Sequence, residues 1–267
     1  MPLSAALSPT ARSSAFLSGE PASAPTALWF GSIPVTETSG FPPARSQRCW
    51  VYLTLNAEIA LSVPQNATLS NLVERDRARV SIDGQWLWWA LRRKYPERTL
   101  TKLSGSDLIY SLAALCARQE RRLLLLGSTP EINARAVMRL RRLHPELQVA
   151  GYAPPRYRPG SIDEDRALAA MLQAIGSFAP DYVVMGLGAV KEQTVAARLA
   201  PLLDGRVTGM LCFGGAIDMA SGRVRRAPRW MQHSGLEGLY RVWLQPARAL
   251  RLLRVLRVLP MLAAGRY

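Results

Sequence analysis

The chain has 267 residues, 49% of them apolar, and a formal net charge of +15. That length suits one α/β domain with a tail, or two small domains, and allows a sizeable core. No apolar run reaches the roughly 20 residues of a spanning helix, three scattered cysteines (Cys49, Cys116, Cys212) fit a reduced cytosolic protein without a disulfide framework, and two distant histidines (His144, His233) leave no zinc motif.

Residues 1–28 are rich in Ser, Ala and Pro and read as a disordered leader. No apolar block follows a charged start, so a signal peptide is not expected, and an organellar transit peptide has only Arg12 to support it. Short β-like runs occupy 29–35 and 51–55, joined through the loop Ser39-Gly40-Phe41-Pro42-Pro43. Residues 57–77 allow one or two helical turns, broken by Pro64. A strand over 79–82 ends at Asp83-Gly84, and a helix over 85–93 carries Trp86, Trp88 and Trp89. Helical spacing puts Trp86 and Trp89 on one face, and at least one tryptophan is expected in the core.

From Gly105 the pattern is regular. Helices are expected over 106–119, 130–143, 161–178 and 191–203, and strands over 122–126, 147–151, 181–185 and 207–213. Thr129-Pro130 and the pair Ser161 and Glu164 supply helix starts. Alternating strands and helices with continuous apolar strands mean a parallel sheet covered on both faces, a Rossmann-like α/β domain over 29–220. Ligands of such sheets bind beyond the carboxyl ends of the strands. The residues to inspect are therefore Thr54 and Asn56, Asp83-Gly84, Gly127-Ser128, residues 186–193 and residues 214–218.

The last segment, 221–267, holds ten Arg and one Glu, a net charge of +9. Helices over 235–244 and 247–262 are separated by Pro246. In the second, Leu252, Leu253, Val255, Leu256 and Leu259 share one side, opposite Arg251, Arg254 and Arg257. This basic amphipathic appendage suits a bilayer interface. Charge alone also fits a diphosphate, nucleic acid or a solvated basic face.

Several positions carry candidate chemistry. Asp83 is a simple turn residue or a general base at the sheet's carboxyl end. Gly186, Gly188 and Lys191 make a tight turn or a phosphate loop at a helix start. Gly214 and Gly215 permit close backbone approach, and Asp218 binds a ligand hydroxyl or caps the next turn.

The run Phe213-Gly214-Gly215-Ala216-Ile217-Asp218, followed by Gly222-Arg223-Val224-Arg225-Arg226-Ala227-Pro228-Arg229-Trp230-Met231-Gln232, then Gly235-Leu236-Glu237 and Tyr240-Arg241, resembles the WecG/TagA/CpsF family of bacterial glycosyltransferases. Thr54-Leu55-Asn56-Ala57-Glu58, Asp83-Gly84, Ser104-Gly105-Ser106-Asp107-Leu108, and Gly186-Leu187-Gly188-Ala189 with Lys191 precede it in the family's order. The resemblance covers about residues 30–260. It implies an inverting transfer, without a metal ion or other cofactor, from a UDP-sugar to a sugar on a polyprenyl diphosphate. N-acetylmannosamine, its uronic acid or glucose is the sugar moved, for teichoic acid linkage units, enterobacterial common antigen or exopolysaccharide. The protein is then cytoplasmic and peripheral on the inner face of the membrane, with an anionic bilayer and no nucleic acid as partner; a homo-oligomer stays open.

Residue by residue, the resemblance implies that Asp83 is the general base. It places Thr54, Asn56, Lys102, Gly105, Gly186, Gly188, Lys191, Glu192, Gln193, Gly214, Gly215 and Asp218 about the donor and acceptor pocket. Arg223, Arg225, Arg226, Arg229 and Arg241 match basic positions suited to the lipid diphosphate and the membrane. Three departures point to a changed donor sugar. Val190-Lys191-Glu192-Gln193 stands where the family has Pro-Lys-Gln-Glu, Lys102 replaces an arginine, and Gln85-Trp86 follows the Asp-Gly pair. Two other classes compete. A nucleic-acid binder explains the basic tail only, and a Rossmann dehydrogenase needs a full glycine fingerprint that the chain lacks.

Overall fold

Hydrogen bonding between strands far apart in sequence decides the sheet. The computed structural model describes residues 28–36, 47–74, 77–224, 226–244 and 256, without the side chains of Arg229, Arg241 and Leu244. The leader (apart from Leu28), the loop at 39–43, Arg225 and the helix expected over 247–262 (apart from Leu256) lie outside the described residues.

A small hairpin comes first: β1 (Leu28–Phe30) and β2 (Ile33–Val35), antiparallel around Gly31 at φ +61°. The main sheet holds β3 (Trp50–Leu55), β4 (Ala78–Ile82), β5 (Arg122–Gly127), β6 (Gln148–Tyr152), β7 (Tyr182–Gly186) and β8 (Gly209–Cys212). All six are parallel, in the order β4-β3-β8-β7-β5-β6. The inner strands are buried nearly end to end, as a sheet covered on both faces requires.

Two apolar clusters flank the sheet. One packs α1 (Ala57–Ser62), α2 (Ala67–Glu74), α3 (Gln85–Lys94), α6 (Ile162–Phe178) and α7 (Lys191–Leu199) on Leu53, Val183, Met185 and Met210. The other packs α4 (Gly105–Arg118), α5 (Pro130–Leu143) and α8 (Ala216–Ala220) on Tyr52, Val184 and Leu211. Neighbouring residues of one strand, such as Val183 and Val184, point to opposite clusters, as the pleat dictates. This is a Rossmann-like α/β fold. The hairpin covers the β4 edge, where Thr36 Oγ1 donates to the Val80 carbonyl and accepts from its N–H.

Local signals explain most boundaries. Pro64 sits in a 3-10 turn between α1 and α2, and Pro201 converts the end of the expected 191–203 helix to 3-10 geometry. Thr129 caps α5 by accepting from the Ile132 N–H. The expected capping pair at α6 is only half made: Glu164 accepts from the Gly160 N–H at 2.6 Å, while the Ser161 hydroxyl turns back to the Arg158 carbonyl. After α8, the described residues form two short helices, α9 (Arg229–His233) and α10 (Glu237–Leu244). In the 214–218 segment, singled out beyond the strand, Ala216 already begins α8, so Asp218 lies within that helix rather than before it.

Candidate active site

Parallel strands deliver their carboxyl ends to one edge of the sheet. The observed order lines up there Asp83 after β4, Asn56 after β3, Gly214 beyond β8, Gly186 at the end of β7 and Ser128 after β5. Asp83 donates its amide to the Leu55 carbonyl at 2.7 Å, which extends the β3–β4 ladder by one residue. Gly84, at φ +130°, then turns the chain into α3. A side chain there would come 3.8 Å from the Asn56 backbone, so the Asp83-Gly84 turn abuts the start of α1. Asn56 Oδ1 accepts from the Ile59 N–H at 3.1 Å and caps that helix. Thr54 is buried, and its hydroxyl donates to the Cys212 carbonyl at 3.2 Å, across the β3–β8 seam.

The glycines divide into two groups. Gly105 and Gly186 are there for packing. A Cβ on Gly105 would lie 2.6 Å from the Phe213 carbonyl oxygen, and one on Gly186 would lie 2.6 Å from Ile217 Cδ1. Gly214 and Gly215 are different: a Cβ at either would meet nothing within 4 Å. Open space therefore adjoins the loop after β8. Gly188, at φ +91°, shapes the loop after β7. Asp218, on α8, accepts from the Ser128 hydroxyl at 2.8 Å, so the loops after β5 and β8 are joined.

Glu192 ties the remaining loops together. It is 0% exposed, which is rare for a carboxylate. Its Oε1 accepts from the Gly214 N–H at 2.8 Å and from the Gln193 side-chain amide at 3.2 Å. The Gly188 and Leu187 amides also lie close to the carboxylate, while Oε2 meets no donor in strict hydrogen-bond geometry among the described residues. Burial pushes the carboxyl up from the ordinary 4.5 to about 7, and those amides with Gly214 and Gln193 hold it back.

Residues 42–266 match the family described as Glycosyl transferase WecG/TagA/CpsF. The chain belongs to this family. It is thus a glycosyltransferase of cell-surface polysaccharide synthesis.

The cations of this glycosyltransferase are placed less uniformly than its loops. Lys102 bridges to Ile82 beside β4, and its Nζ donates to Gln85 Oε1 at 2.7 Å and to the Gln232 carbonyl at 3.5 Å. Burial holds its pKa down, while the carboxylates of Asp83 and Glu237 raise it and Arg226 lowers it further. Lys102 is therefore the cation that shares the field of Asp83 and touches the appendage. Lys191, expected at a phosphate loop, is held by Tyr157: Nζ donates to the Tyr157 carbonyl at 3.1 Å and lies 3.4 Å from the ring centroid. Arg226 pairs with Asp107 in the first turn of α4. Arg223 is exposed, and its backbone N–H bonds Ser221 Oγ.

Three features of the glycosyltransferase escape its sequence. Ser128 becomes a partner of Asp218 only because β5 and β8 lie on either side of β7. Gln232 reaches Lys102 from 130 residues away. Gly235, at φ +75°, lies against α3, where a Cβ would come 2.3 Å from Trp86 Nε1. The tryptophans of α3 divide as expected, with one in the core and the i, i+3 pair on a common face. Trp88 packs on the core and donates Nε1 to the Leu100 carbonyl, while Trp86 and Trp89 meet the appendage. The i, i+3 pair does share a face, but that face turns to the tail.

Proposed function

We propose that this glycosyltransferase moves a sugar from a UDP-sugar to a sugar on a polyprenyl diphosphate, with inversion, at the cytoplasmic face of the membrane. The position of Asp83 carries this reading. It is a carboxylate at the carboxyl edge of a parallel sheet, one strand from the cap of α1 and two strands from the open glycines. In the proposed step Asp83 takes the proton of the acceptor hydroxyl. The hydroxyl oxygen bonds to the anomeric carbon on the face opposite the diphosphate. The carbon–oxygen bond to the diphosphate breaks, and UDP leaves with the electron pair.

Gly214 and Gly215 support a donor site, because a nucleotide-sugar can approach a backbone that lacks side chains. Gly188, Glu192 and Gln193 shape the adjoining loop, Thr54 ties β3 to the end of β8, and Asn56 caps α1 beside the Asp83-Gly84 turn. Lys102 balances charge beside Asp83, and no metal ion enters the scheme. Arg223, Arg225, Arg226, Arg229 and Arg241 serve the lipid diphosphate and the anionic bilayer; Arg226 would exchange Asp107 for the ligand. Trp230, Leu239 and Trp243 are exposed beside them, and among the described residues no helix is long and apolar enough to cross a membrane. The donor sugar is N-acetylmannosamine, its uronic acid or glucose.

Asp83→Asn tests the step. UDP release with a short-chain polyprenyl-diphosphate sugar as acceptor should fall by roughly 10²–10⁴-fold, the usual worth of a general base. Wild-type turnover in the variant would remove Asp83 from the chemistry. Product mass across a panel of UDP-sugars identifies the sugar moved.

A further inference from the structure

The appendage is not the only surface that keeps large aromatic side chains in water. Of the seven tryptophans in the chain, Trp29 and Trp89 are 46% and 45% exposed, beside Trp230 at 64% and Trp243 at 76%. Trp29 belongs to the hairpin, between buried Leu28 and Phe30, so the strand aims it outward. Trp89 lies on α3 opposite the buried Leu87, Ala90 and Leu91.

The hairpin that carries Trp29 is tied to the helix that carries Trp89. The Tyr95 hydroxyl, just beyond α3, accepts from the Trp29 N–H at 3.1 Å. Lys94 Nζ donates to the Trp29 carbonyl at 3.3 Å. At the other end, Gly235 packs on α3, and a Cβ there would lie 3.5 Å from the Trp89 ring. The hairpin, α3 and the appendage are thus linked by direct contact. Basic residues accompany the aromatics: Arg92, Arg93 and Lys94 are all exposed at the end of α3, and Arg93 follows Trp89 by one helical turn.

We infer that the β1–β2 hairpin and α3 form a second membrane-contact wing, continuous with the appendage, whose occupant is an anionic bilayer surface. Tryptophan is the side chain that settles at the level of lipid headgroups, with an apolar ring and a polar N–H. Arg93 and Lys94 supply the charge complement to anionic lipid. The consequence is orientation. Helix α3 starts two residues after Asp83, so a wing that lies on the bilayer holds the Asp83 edge of the sheet close to the membrane. This rests on the membrane-surface reading of the proposed function and adds the element that fixes the angle of docking.

The test uses the full chain and sedimentation with vesicles of phosphatidylcholine, with and without phosphatidylglycerol. Arg93→Glu should lower partition onto the anionic vesicles by roughly tenfold, with the melting temperature unchanged because that side chain is exposed. Trp29→Ala with Trp89→Ala should remove part of the tryptophan quenching by brominated lipid. Unchanged partition and unchanged quenching in these variants, with losses only in Trp230→Ala and Trp243→Ala, would overturn the wing. So would a lipid-free dimer that Trp29→Ala and Trp89→Ala convert to monomer, because the surface would then serve a second copy of the chain. Transfer to a soluble short-chain acceptor is measured alongside and should be unchanged in the variants. Its absence in the wild type would defeat the proposed reaction and leave the vesicle result standing.

Discussion

Replacing Glu192 with glutamine should change how stability depends on pH. The carboxyl is raised from 4.5 in the unfolded chain to about 7 in the fold, because burial disfavours its charge. Between those values the native state holds a proton that the unfolded state has released. The stability due to this group is therefore fully present below about pH 4.5 and is lost as pH rises through about 7. The loss amounts to about 3 kcal/mol once ionisation is complete. Glutamine is neutral throughout and keeps an oxygen to accept from the Gly214 N–H. Urea unfolding of wild type and Glu192→Gln at pH 5 and pH 8 measures the effect, and subtracting the two cancels the other titrating groups. The variant should match or fall slightly below wild type at pH 5 and exceed it by up to about 3 kcal/mol at pH 8. A difference that is the same at both pH values would refute the argument that a buried ionisable carboxyl joins α7 to the loop after β8.

Three further outcomes follow from the local geometry. Gly105→Ala should cost roughly 1–3 kcal/mol in denaturant unfolding, since its methyl meets the Phe213 backbone, which cannot swing aside. Gly215→Ala should stay within about 0.5 kcal/mol of wild type, at φ −78° with open space around it, and should instead reduce the transfer rate. Asp204 accepts two bonds from Arg77, at 2.6 and 2.9 Å, and one from the Cys49 N–H, which holds its carboxyl below the usual range. Its contribution is present above about pH 3.8 and fades as pH falls through the lower native value, so Asp204→Asn should flatten the acid limb of a stability–pH curve. Partial exposure of the pair limits the loss at neutral pH to about 1 kcal/mol.

Much of the scaffold was legible in the sequence, because its signals are local. Runs such as residues 122–126 and 182–185 need only their own apolarity to read as buried strands, and Thr129-Pro130 needs only its neighbours to start a helix. Long-range pairing is what hid the rest. A glutamate in the first turn of a helix ordinarily faces water and favours the helix dipole. Glu192 is buried because the β8 loop, 22 residues on, closes over it. Lys191 sat well for a phosphate by spacing, yet the loop after β6 brings Tyr157 to its ammonium. The tryptophans of α3 followed helical periodicity correctly. Which stripe met the core depended on where the tail returned, and periodicity does not encode that.

The altered Lys191-Glu192-Gln193 run acquires a physical meaning from this arrangement. With glutamine in the middle position, as in the family's usual order, the side chain under Gly214 would be neutral and carry its own N–H donors. Here that position holds an acid with one oxygen engaged and the other without a bonded donor, next to Gln193, whose side-chain oxygen is also without one. Burial, which raises the Glu192 carboxyl to about 7, therefore acts on the group that anchors the loop adjoining the open glycines. Glu192 lies beneath that loop, not in it. A change in sugar preference on Glu192→Gln would be expected to arise through the Gly214 backbone that Glu192 holds.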